Sequence, residues 1–167
     1  YGSFASGIML FGLSILYGVA GSTDISLIAT KIASFESPLA IYMAMLFILV
    51  GFGYKISMVP FHYWTPDVYQ GSPIPVTAFL SVAPKAAGFA ILIRFFYSLQ
   101  YSDIEWLQLI AVLSALTMTV GNVLALKQNN IKRLLAYSSI SHVGYMLVAF
   151  SIFSTDALVS IMFYLFF

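Results

Sequence analysis

The chain has 167 residues, of which 61% are hydrophobic and 8% are charged. Soluble globular domains carry about 25% charged residues, so this composition excludes that class of protein. The formal net charge of +1 does not fit a nucleic-acid-binding surface, and the lack of cysteine excludes disulfides and thiolate-held iron–sulfur clusters within this chain. The composition predicts an all-α polytopic membrane protein.

Apolar stretches of transmembrane length recur along the chain. Because a helix needs about 20 apolar residues to cross a bilayer, they predict six spans within a single transmembrane domain over residues 1–167. The predicted helices lie at about 1–20, 39–59 with a short helix at 65–70, 74–97, 105–126, 131–153 and 156–167. Since the sequence does not begin with Met and both ends fall inside apolar runs, we expect it to be part of a longer membrane protein.

The second span is unusual because it does not end cleanly. Residues 39–69 stay largely apolar or aromatic, and an unbroken helix of about 30 residues would be about 45 Å long, beyond a ~30 Å hydrocarbon core. Pro60 predicts a break, because a proline ring inside a helix clashes with the carbonyl four residues earlier. Thr65-Pro66-Asp67 then predicts that a short helix begins with Thr65 as its N-cap.

The connection at 127–133 holds three of the seven Lys and Arg residues and no acid. Cytoplasmic loops carry an excess of Lys and Arg, so we expect this connection to be cytoplasmic. Alternation then places 65–73 on the same side, and the loops at 21–38 and 98–105 on the opposite side. Four of the six acidic residues lie in those opposite loops: Asp24, Glu36, Asp103 and Glu105.

Three ionisable residues, Lys55, Lys85 and His142, fall near the middle of predicted spans. A lysine at the centre of a membrane helix costs about 3 kcal/mol on insertion scales, so such residues usually face a bundle interior or a watery cavity and mark ion or proton pathways. Burial generally lowers the pKa of a lysine side chain, and free histidine already titrates at about 6.5. These residue types therefore predict proton carriage within the membrane.

Neighbouring polar groups support these sites. Ser81 lies one turn before Lys85 and is expected to hydrogen-bond it, and Pro84 frees the carbonyl of Leu80 at a similar depth. Three residues with hydroxyl groups share the helical face of the histidine at i−4, i−3 and i+3: Ser138, Ser139 and Tyr145. A face lined with hydroxyl groups predicts ordered water along it.

Less specific interpretations of the same residues stay open at this point. A buried lysine can be the structural partner of an acid on another helix, and His142 can be a satisfied core histidine. The break at Pro60 favours a proton path at Lys55, since broken helices recur at mid-membrane ion sites of transporters. His62 lies past the break, close to Trp64, and is predicted to be interfacial.

Three stretches carry a resemblance to a known family. GFGYKISMVPFHYWTPDVYQGSPIPVTAFLSV begins at Gly51, KAAG begins at Lys85, and NNIKRLLAYSSISHVGYM begins at Asn129. In these motifs the chain resembles the antiporter-like membrane subunits of respiratory complex I, most closely the subunit N branch with its mitochondrial and chloroplast relatives. That family is similar to Mrp-type cation/proton antiporter subunits.

The resemblance implies a fold of about fourteen helices with two inverted five-helix repeats, of which this chain would supply helices six to eleven. It implies that Lys55 and Lys85 match the family's lysines on a broken seventh helix and on the eighth helix. His142 and Lys132 match polar positions on the tenth helix and at its entrance. Pro84 departs from the family, in which Ser or Thr is more usual before this lysine.

We therefore expect a proton-translocating membrane subunit of a complex I-type NADH-quinone oxidoreductase, which couples electron transfer in other subunits to proton pumping. No cofactor or metal is expected in this chain. The expected partners are other membrane subunits, the lipid bilayer, protons and water, in a bacterial inner membrane or an organellar inner or thylakoid membrane. The alternatives are an Mrp-type sodium/proton antiporter subunit and a structural membrane spacer. The expected proton-transfer residues are Lys55, Lys85 and His142, supported by Lys132, Ser81, Ser138, Ser139 and Tyr145, with Pro60 at the helix break.

Overall fold

The structure is a computed structural model that describes residues 1–33, 38–99 and 106–166. All regular secondary structure within these residues is α-helical, so the predicted all-α fold class is confirmed. The helices, in chain order, are α1 (Gly2–Ala20), α2 (Ile25–Ala33), α3 (Pro38–Ile56), α4 (Trp64–Gly71), α5 (Ile74–Ser98), α6 (Trp106–Leu126), α7 (Ile131–Ile152) and α8 (Thr155–Phe166).

Five of the described helices are long and apolar enough to cross a membrane, namely α1, α3, α5, α6 and α7. The helix α8 is apolar but has only 12 residues. The observed bounds of α5 and α7 differ from the predicted ones by one residue at the C-terminal end. The predicted polytopic architecture is therefore confirmed. Of the acids used to predict orientation, Glu36, Asp103 and Glu105 lie outside the described residues.

The segment after α1, which we predicted to be a loop at 21–38, contains the helix α2. The carboxylate of Asp24 starts this helix by accepting hydrogen bonds from the backbone N–H and the hydroxyl of Ser26, at 2.9 and 2.7 Å. Ile28 and Ile32 are buried on one face. The loop prediction was wrong because the charges in this segment obscured an apolar face with helical spacing.

The break predicted within 39–69 is confirmed, because α3 ends at Ile56 and α4 begins at Trp64. The helix ends earlier than the predicted bound of 59. Ser57 adopts a left-handed backbone conformation with φ of 65°, and this residue ends α3 before Pro60 is reached. The proline therefore lies inside the connection and does not itself terminate the helix.

Side-chain hydroxyl groups form hydrogen bonds with residues of the connection between α3 and α4. Thr65 lies inside α4, not at its N-cap as predicted, and its buried hydroxyl donates a hydrogen bond to the Ser57 hydroxyl at 2.6 Å. The backbone N–H of Val59 donates to the Thr117 hydroxyl at 3.1 Å, and that hydroxyl donates to the Leu113 carbonyl at 2.6 Å. Polar backbone groups at membrane depth need such partners, since lipid offers none.

The chain divides into two compact units, of which the first comprises Tyr1–Tyr54 and Ala90–Ile104. Within this unit α1 and α3 approach closely at Gly12, where a Cβ atom would lie 2.6 Å from the carbonyl oxygen of Ala44. The helix α2 packs against α1. Small residues commonly allow this kind of close helix packing in membranes.

The second unit comprises Lys55–Phe89 and Glu105–Phe167, and α7 lies at its centre. The helices α4, α6 and α8 all pack against α7, with α6 making the most extensive interface. That interface is close at Gly121, where a Cβ atom would lie 2.5 Å from the Ser141 hydroxyl oxygen. The arrangement brings side chains from several helices next to the polar face of α7.

Candidate functional site

A cavity of about 860 Å³ lies in the second unit, between parts of α4, α5, α7 and α8. Apolar residues form much of its wall. The polar residues that line it are Tyr69, Thr77, Ser81, Lys85, Lys132, Ser138, Ser139, His142 and Tyr164. Six of the nine residues that the sequence singled out therefore surround one space. The other three, Lys55, Pro60 and Tyr145, do not line it.

Lys85 is the most deeply placed cation of the cavity, with 3% of its surface exposed. Its Nζ donates a hydrogen bond to the Ser139 carbonyl oxygen at 3.1 Å and a second one to the hydroxyl of the same residue. The aromatic ring of Tyr69 lies 5.9 Å from Nζ, measured to the ring centroid. A buried ammonium is costly unless it is hydrogen-bonded, and these neutral oxygens and the aromatic face provide that stabilisation.

Tyr69 brings α4 into the site. Its side chain is 1% exposed, and its hydroxyl donates to the carbonyl oxygen of Leu80 at 3.2 Å. Leu80 lies four residues before Pro84, so its carbonyl lacks the usual helix donor, as the sequence predicted. Burial raises the pKa of Tyr69, and a hydrogen bond with Ser139 opposes this rise. The phenol therefore stays protonated near neutral pH and can donate.

His142 connects α7 to two other helices. Its Nδ1 lies 2.5 Å from the hydroxyl oxygen of Tyr164 on α8. Its ring makes an edge contact with the ring of Tyr145, with centroids 5.9 Å apart. The hydroxyl of Tyr145 in turn accepts a hydrogen bond from Nδ2 of Asn122 on α6, at 3.4 Å. The predicted neighbour Tyr145 thus contacts the imidazole from outside the cavity.

Two cations at the start of α7 hold the α4 segment. Lys132, which lines the cavity, donates from Nζ to the carbonyl oxygen of Ser72 at 2.8 Å. Arg133 donates from Nη1 to a carboxylate oxygen of Asp67 at 2.7 Å and to the side-chain oxygen of Gln70 at 2.9 Å. These contacts link the predicted cytoplasmic connection to the segment that carries Tyr69.

Lys55 has different surroundings. We expected it to face a bundle interior or a watery cavity; it lies in the last turn of α3, and its side chain is exposed within the part of the protein that this chain spans. The neighbouring Ile56 is fully buried and occupies the packed position at this helix end, against Gly88. A long lysine side chain in a terminal turn can extend past the helix end, so an apolar sequence context alone did not decide its burial.

The hydroxyl of Ser81 does not bind Lys85, and that prediction was wrong. Ser81 donates to the carbonyl oxygen of Ala78 in its own helix, at 2.7 Å. Serine hydroxyls in helices commonly return to a carbonyl of the preceding turn. The ammonium instead reaches across to Ser139 on α7, a contact that spacing within α5 cannot reveal.

Two tyrosines of the site, Tyr69 and Tyr164, were missed from the sequence. Pro84 signals a carbonyl that needs a donor, but the sequence does not indicate which residue supplies it. Tyr164 has no signal of its own, because it meets His142 only through the packing of α8 on α7. Each of these tyrosines contacts a residue on a different helix, so the spacing of residues along a single helix does not reveal the contact.

His62, which we predicted to lie at the membrane interface, is buried within the protein, with 3% of its surface exposed. Its ring stacks on that of Tyr63, with centroids 4.4 Å apart. Burial lowers the pKa of His62, and a hydrogen bond with the backbone of Pro60 opposes this effect. The imidazole is therefore neutral in the folded protein near neutral pH, and it fills space inside the break.

The chemistry of the cavity suits protons and water. Its polar groups are ammonium, hydroxyl, phenol and imidazole, each of which can hold or pass a proton. Hard divalent cations prefer carboxylate and carbonyl oxygens instead. In the part of the chain that the structure describes, no group of three or more His, Cys, Asp or Glu side chains could hold a metal ion.

Comparison with known proteins identifies the family. Residues 1–167 match the family described as NADH:quinone oxidoreductase/Mrp antiporter, TM. The chain belongs to this family. NADH-quinone oxidoreductase subunit N 2 of Sorangium cellulosum is 50% identical over 177 residues, which cover 99% of this chain and 35% of that protein. The predicted family resemblance, including the similarity to subunit N, is therefore confirmed.

Two solved structures of the NADH:quinone oxidoreductase/Mrp antiporter type share the fold. Respiratory complex I from Thermus thermophilus with bound aureothin contains a chain that matches with a TM-score of 0.78 and 37% identity, over 98% of this chain and 35% of that one. The Mrp complex from Dietzia sp. DQ12-45-1b matches with a TM-score of 0.85 and 26% identity, over 98% and 30% of the two chains. This family member thus spans about a third of the length of its relatives and is an integral membrane protein.

Proposed function

We propose that the full-length protein is a proton-translocating membrane subunit of a complex I-type NADH-quinone oxidoreductase. The observation that carries the proposal is Lys85, a buried lysine whose Nζ is hydrogen-bonded to Ser139 beside a polar cavity that is also lined by His142. The 50% identity to a subunit N 2 supports the same assignment. Electron transfer takes place in other subunits and acts on this one through electrostatics, so this chain contributes translocation without redox chemistry.

The proton path runs from Lys132 at one end of the cavity to Lys85, Ser139 and His142. Lysine carries a proton as ammonium and releases it as amine, while the Ser139 hydroxyl can accept one hydrogen bond and donate another. Ser139 and His142 lie one turn apart on α7, and water bridges the remaining distance. A water molecule needs only about 10–15 Å³ of such space, and the cavity offers about 860 Å³.

The other predicted residues complete this proposal. Lys55, in the last turn of α3 beside the break, is a further proton-transfer residue together with Lys85 and His142. Ser81 and Ser138 bind cavity water, and Tyr145 orients the imidazole through its ring contact. Pro60 keeps the connection between α3 and α4 non-helical, because it has no N–H to donate.

The proposal assigns no redox cofactor to this chain. The partners are the other membrane subunits of the assembly, the lipid bilayer, and protons and water. A bacterial inner membrane is the proposed location, in keeping with the bacterial origin of the Sorangium and Thermus relatives.

The test is proton translocation by the reconstituted assembly that carries the full-length protein with Lys85→Ala. We expect fewer protons per electron than in the wild type at equal subunit abundance. Lys127→Ala is the matched control, because that lysine is exposed and lies outside the cavity lining. A proton-to-electron ratio that is unchanged in Lys85→Ala and in Lys55→Ala would refute the proposed role, and would favour a structural spacer.

An Mrp-type sodium/proton antiporter subunit is the second candidate, favoured by the TM-score of 0.85 to the Mrp complex. The lower sequence identity of 26% to that structure weighs against it. Sodium transport in vesicles without any quinone reductase activity would favour the antiporter. Proton translocation that requires electron transfer to quinone would favour the complex I-type assignment.

A further inference from the structure

The turn of α5 that carries Lys85 has an incomplete hydrogen-bond ladder. Pro84 lies inside the helix and has no N–H, so it cannot donate to the carbonyl of Leu80. An unsatisfied carbonyl in an apolar setting is costly, because no water replaces the lost donor. This helix nevertheless runs unbroken from Ile74 to Ser98. A donor from another helix can take the place of the missing one.

Tyr69 supplies that donor. Its hydroxyl donates to the Leu80 carbonyl oxygen at 3.2 Å, and its side chain is 1% exposed. The same ring lies 5.9 Å from the Nζ of Lys85, within the ~6 Å range of cation–π attraction. The tyrosine thus contacts both the free carbonyl and the ammonium, which lie on the same helix five residues apart.

The helix α4 that carries this tyrosine is itself held in place. The backbone carbonyl of Tyr69 accepts a hydrogen bond from the Thr77 hydroxyl at 3.3 Å, which ties the end of α4 to the start of α5. The Asp67–Arg133 ion pair, at 2.7 Å, ties α4 to α7, the helix that carries Ser139. The two helices that contact the ammonium are therefore joined to each other.

We propose that Tyr69 is a positioning residue for Lys85. Its hydroxyl replaces the helix donor that Pro84 lacks, and so keeps the Lys85 turn of α5 in register with Ser139 on α7. Pro84, Leu80 and Tyr69 act as one unit in which a donor from α4 substitutes for a missing bond of α5. This inference rests on the proposed proton translocation through Lys85.

If these three residues act as one unit, a substitution at Pro84 should restore the function that a substitution at Tyr69 removes. Tyr69→Phe keeps the ring but removes the donor, so the Leu80 carbonyl is left without a partner. Pro84→Ala restores a backbone N–H four residues after Leu80, which lets α5 satisfy its own carbonyl. The second change should therefore compensate for the first. A purely space-filling tyrosine would show no such compensation.

The experiment measures protons translocated per electron, at equal abundance, in the reconstituted assembly containing the full-length protein. The variants are Tyr69→Phe, Pro84→Ala, the double variant and Lys85→Ala. Tyr63→Phe is the matched control, because it removes a hydroxyl from an exposed tyrosine just before α4. We expect Tyr69→Phe to lose translocation toward the value of Lys85→Ala, the double variant to recover most of it, and Tyr63→Phe to match the wild type.

Several outcomes would overturn the inference. These are full translocation by Tyr69→Phe, equal losses in Tyr69→Phe and Tyr63→Phe, or no recovery in the double variant. Normal translocation by Lys85→Ala would instead overturn the proposed function, which separates the two failures. If Tyr69→Phe does not accumulate in the membrane, the abundance of the double variant decides. If the double variant accumulates in the membrane, the backbone N–H of residue 84 has replaced the Tyr69 hydroxyl as the donor, which supports the inference. If the double variant is also absent, the inference is refuted.

Discussion

The turns around Lys85 and Lys55 both contain a lysine close to a proline within apolar sequence, but they differ in their packing. Lys85 is 3% exposed and contacts Ser139 on α7 and the ring of Tyr69 on α4. Lys55 is exposed in the last turn of α3. In the first region α5 continues through its proline, whereas in the second region α3 stops.

The difference shows that a hydroxyl from a neighbouring helix can stabilise either a continuous helix that contains a proline or a non-helical connection. At Pro84 an external hydroxyl satisfies the free carbonyl, so the helix stays continuous. At the break, the external hydroxyl of Thr117 instead accepts from a backbone N–H of the connection, at 3.1 Å, and stabilises a non-helical segment. Tertiary partners can therefore support either outcome, since lipid supplies neither donors nor acceptors.

The largest expected effect contrasts the two lysines directly. Lys85→Met should lower proton translocation by about 100-fold or more, the usual scale for removal of a proton-transfer group. Lys55→Met should lower it much less, because Lys55 does not line the cavity that holds Lys85, Ser139 and His142. Proton uptake by proteoliposomes with the reconstituted assembly measures both. Equal losses in the two variants would remove the distinction between the regions.

Removal of the main partner of the buried lysine should have the next largest effect. Ser139→Ala deletes one acceptor of the ammonium, and a hydrogen bond to a charged group is worth about 1.5–3 kcal/mol. We expect a lower free energy of unfolding together with weaker translocation. Ser160→Ala is a suitable control, because that exposed hydroxyl donates to the carbonyl of Asp156 in its own helix. A Ser139→Ala protein as stable as the control would contradict the geometry at Lys85.

A third variant addresses the break. Thr117→Ala leaves the buried N–H of Val59 without an acceptor, which should destabilise the protein by about 1–3 kcal/mol. Thr119→Ala removes an exposed threonine hydroxyl from the same helix and should change stability very little. Thermal unfolding of the full-length protein in detergent compares the two. Identical midpoints would mean that the Thr117 hydroxyl does not hold the connection.

The smallest expected effect is a pH dependence that originates inside the break. Burial lowers the pKa of His62, so the unfolded chain, with a pKa of about 6.5, binds more protons at this site as pH falls. Stability contributed by the neutral imidazole should therefore decrease below about pH 6.5. His62→Phe should reduce the difference between unfolding midpoints measured at about pH 7.5 and about pH 5.5. An unchanged difference would assign the pH dependence to other groups.

Much of the site could be predicted because its members are unusual in an apolar chain. Lys85, His142 and Lys132 stand out as ionisable residues, and the hydroxyl face of α7 follows from helical spacing. Residues whose role depends on a second helix could not be found this way. Tyr69 and Tyr164 are two of eleven tyrosines, and only packing places their hydroxyls beside Leu80 and His142.

The sequence by itself determined the membrane-spanning class, the all-helical fold, the position of the break to within a few residues and the family. These features depend on local composition, periodicity and motifs, which a single chain segment carries. Only the tertiary structure decided which lysine is buried, which hydroxyl accepts its hydrogen bond, and how the free carbonyl at Pro84 is satisfied. Each of those depends on a donor or acceptor from another helix, and in a membrane such partners must come from the protein.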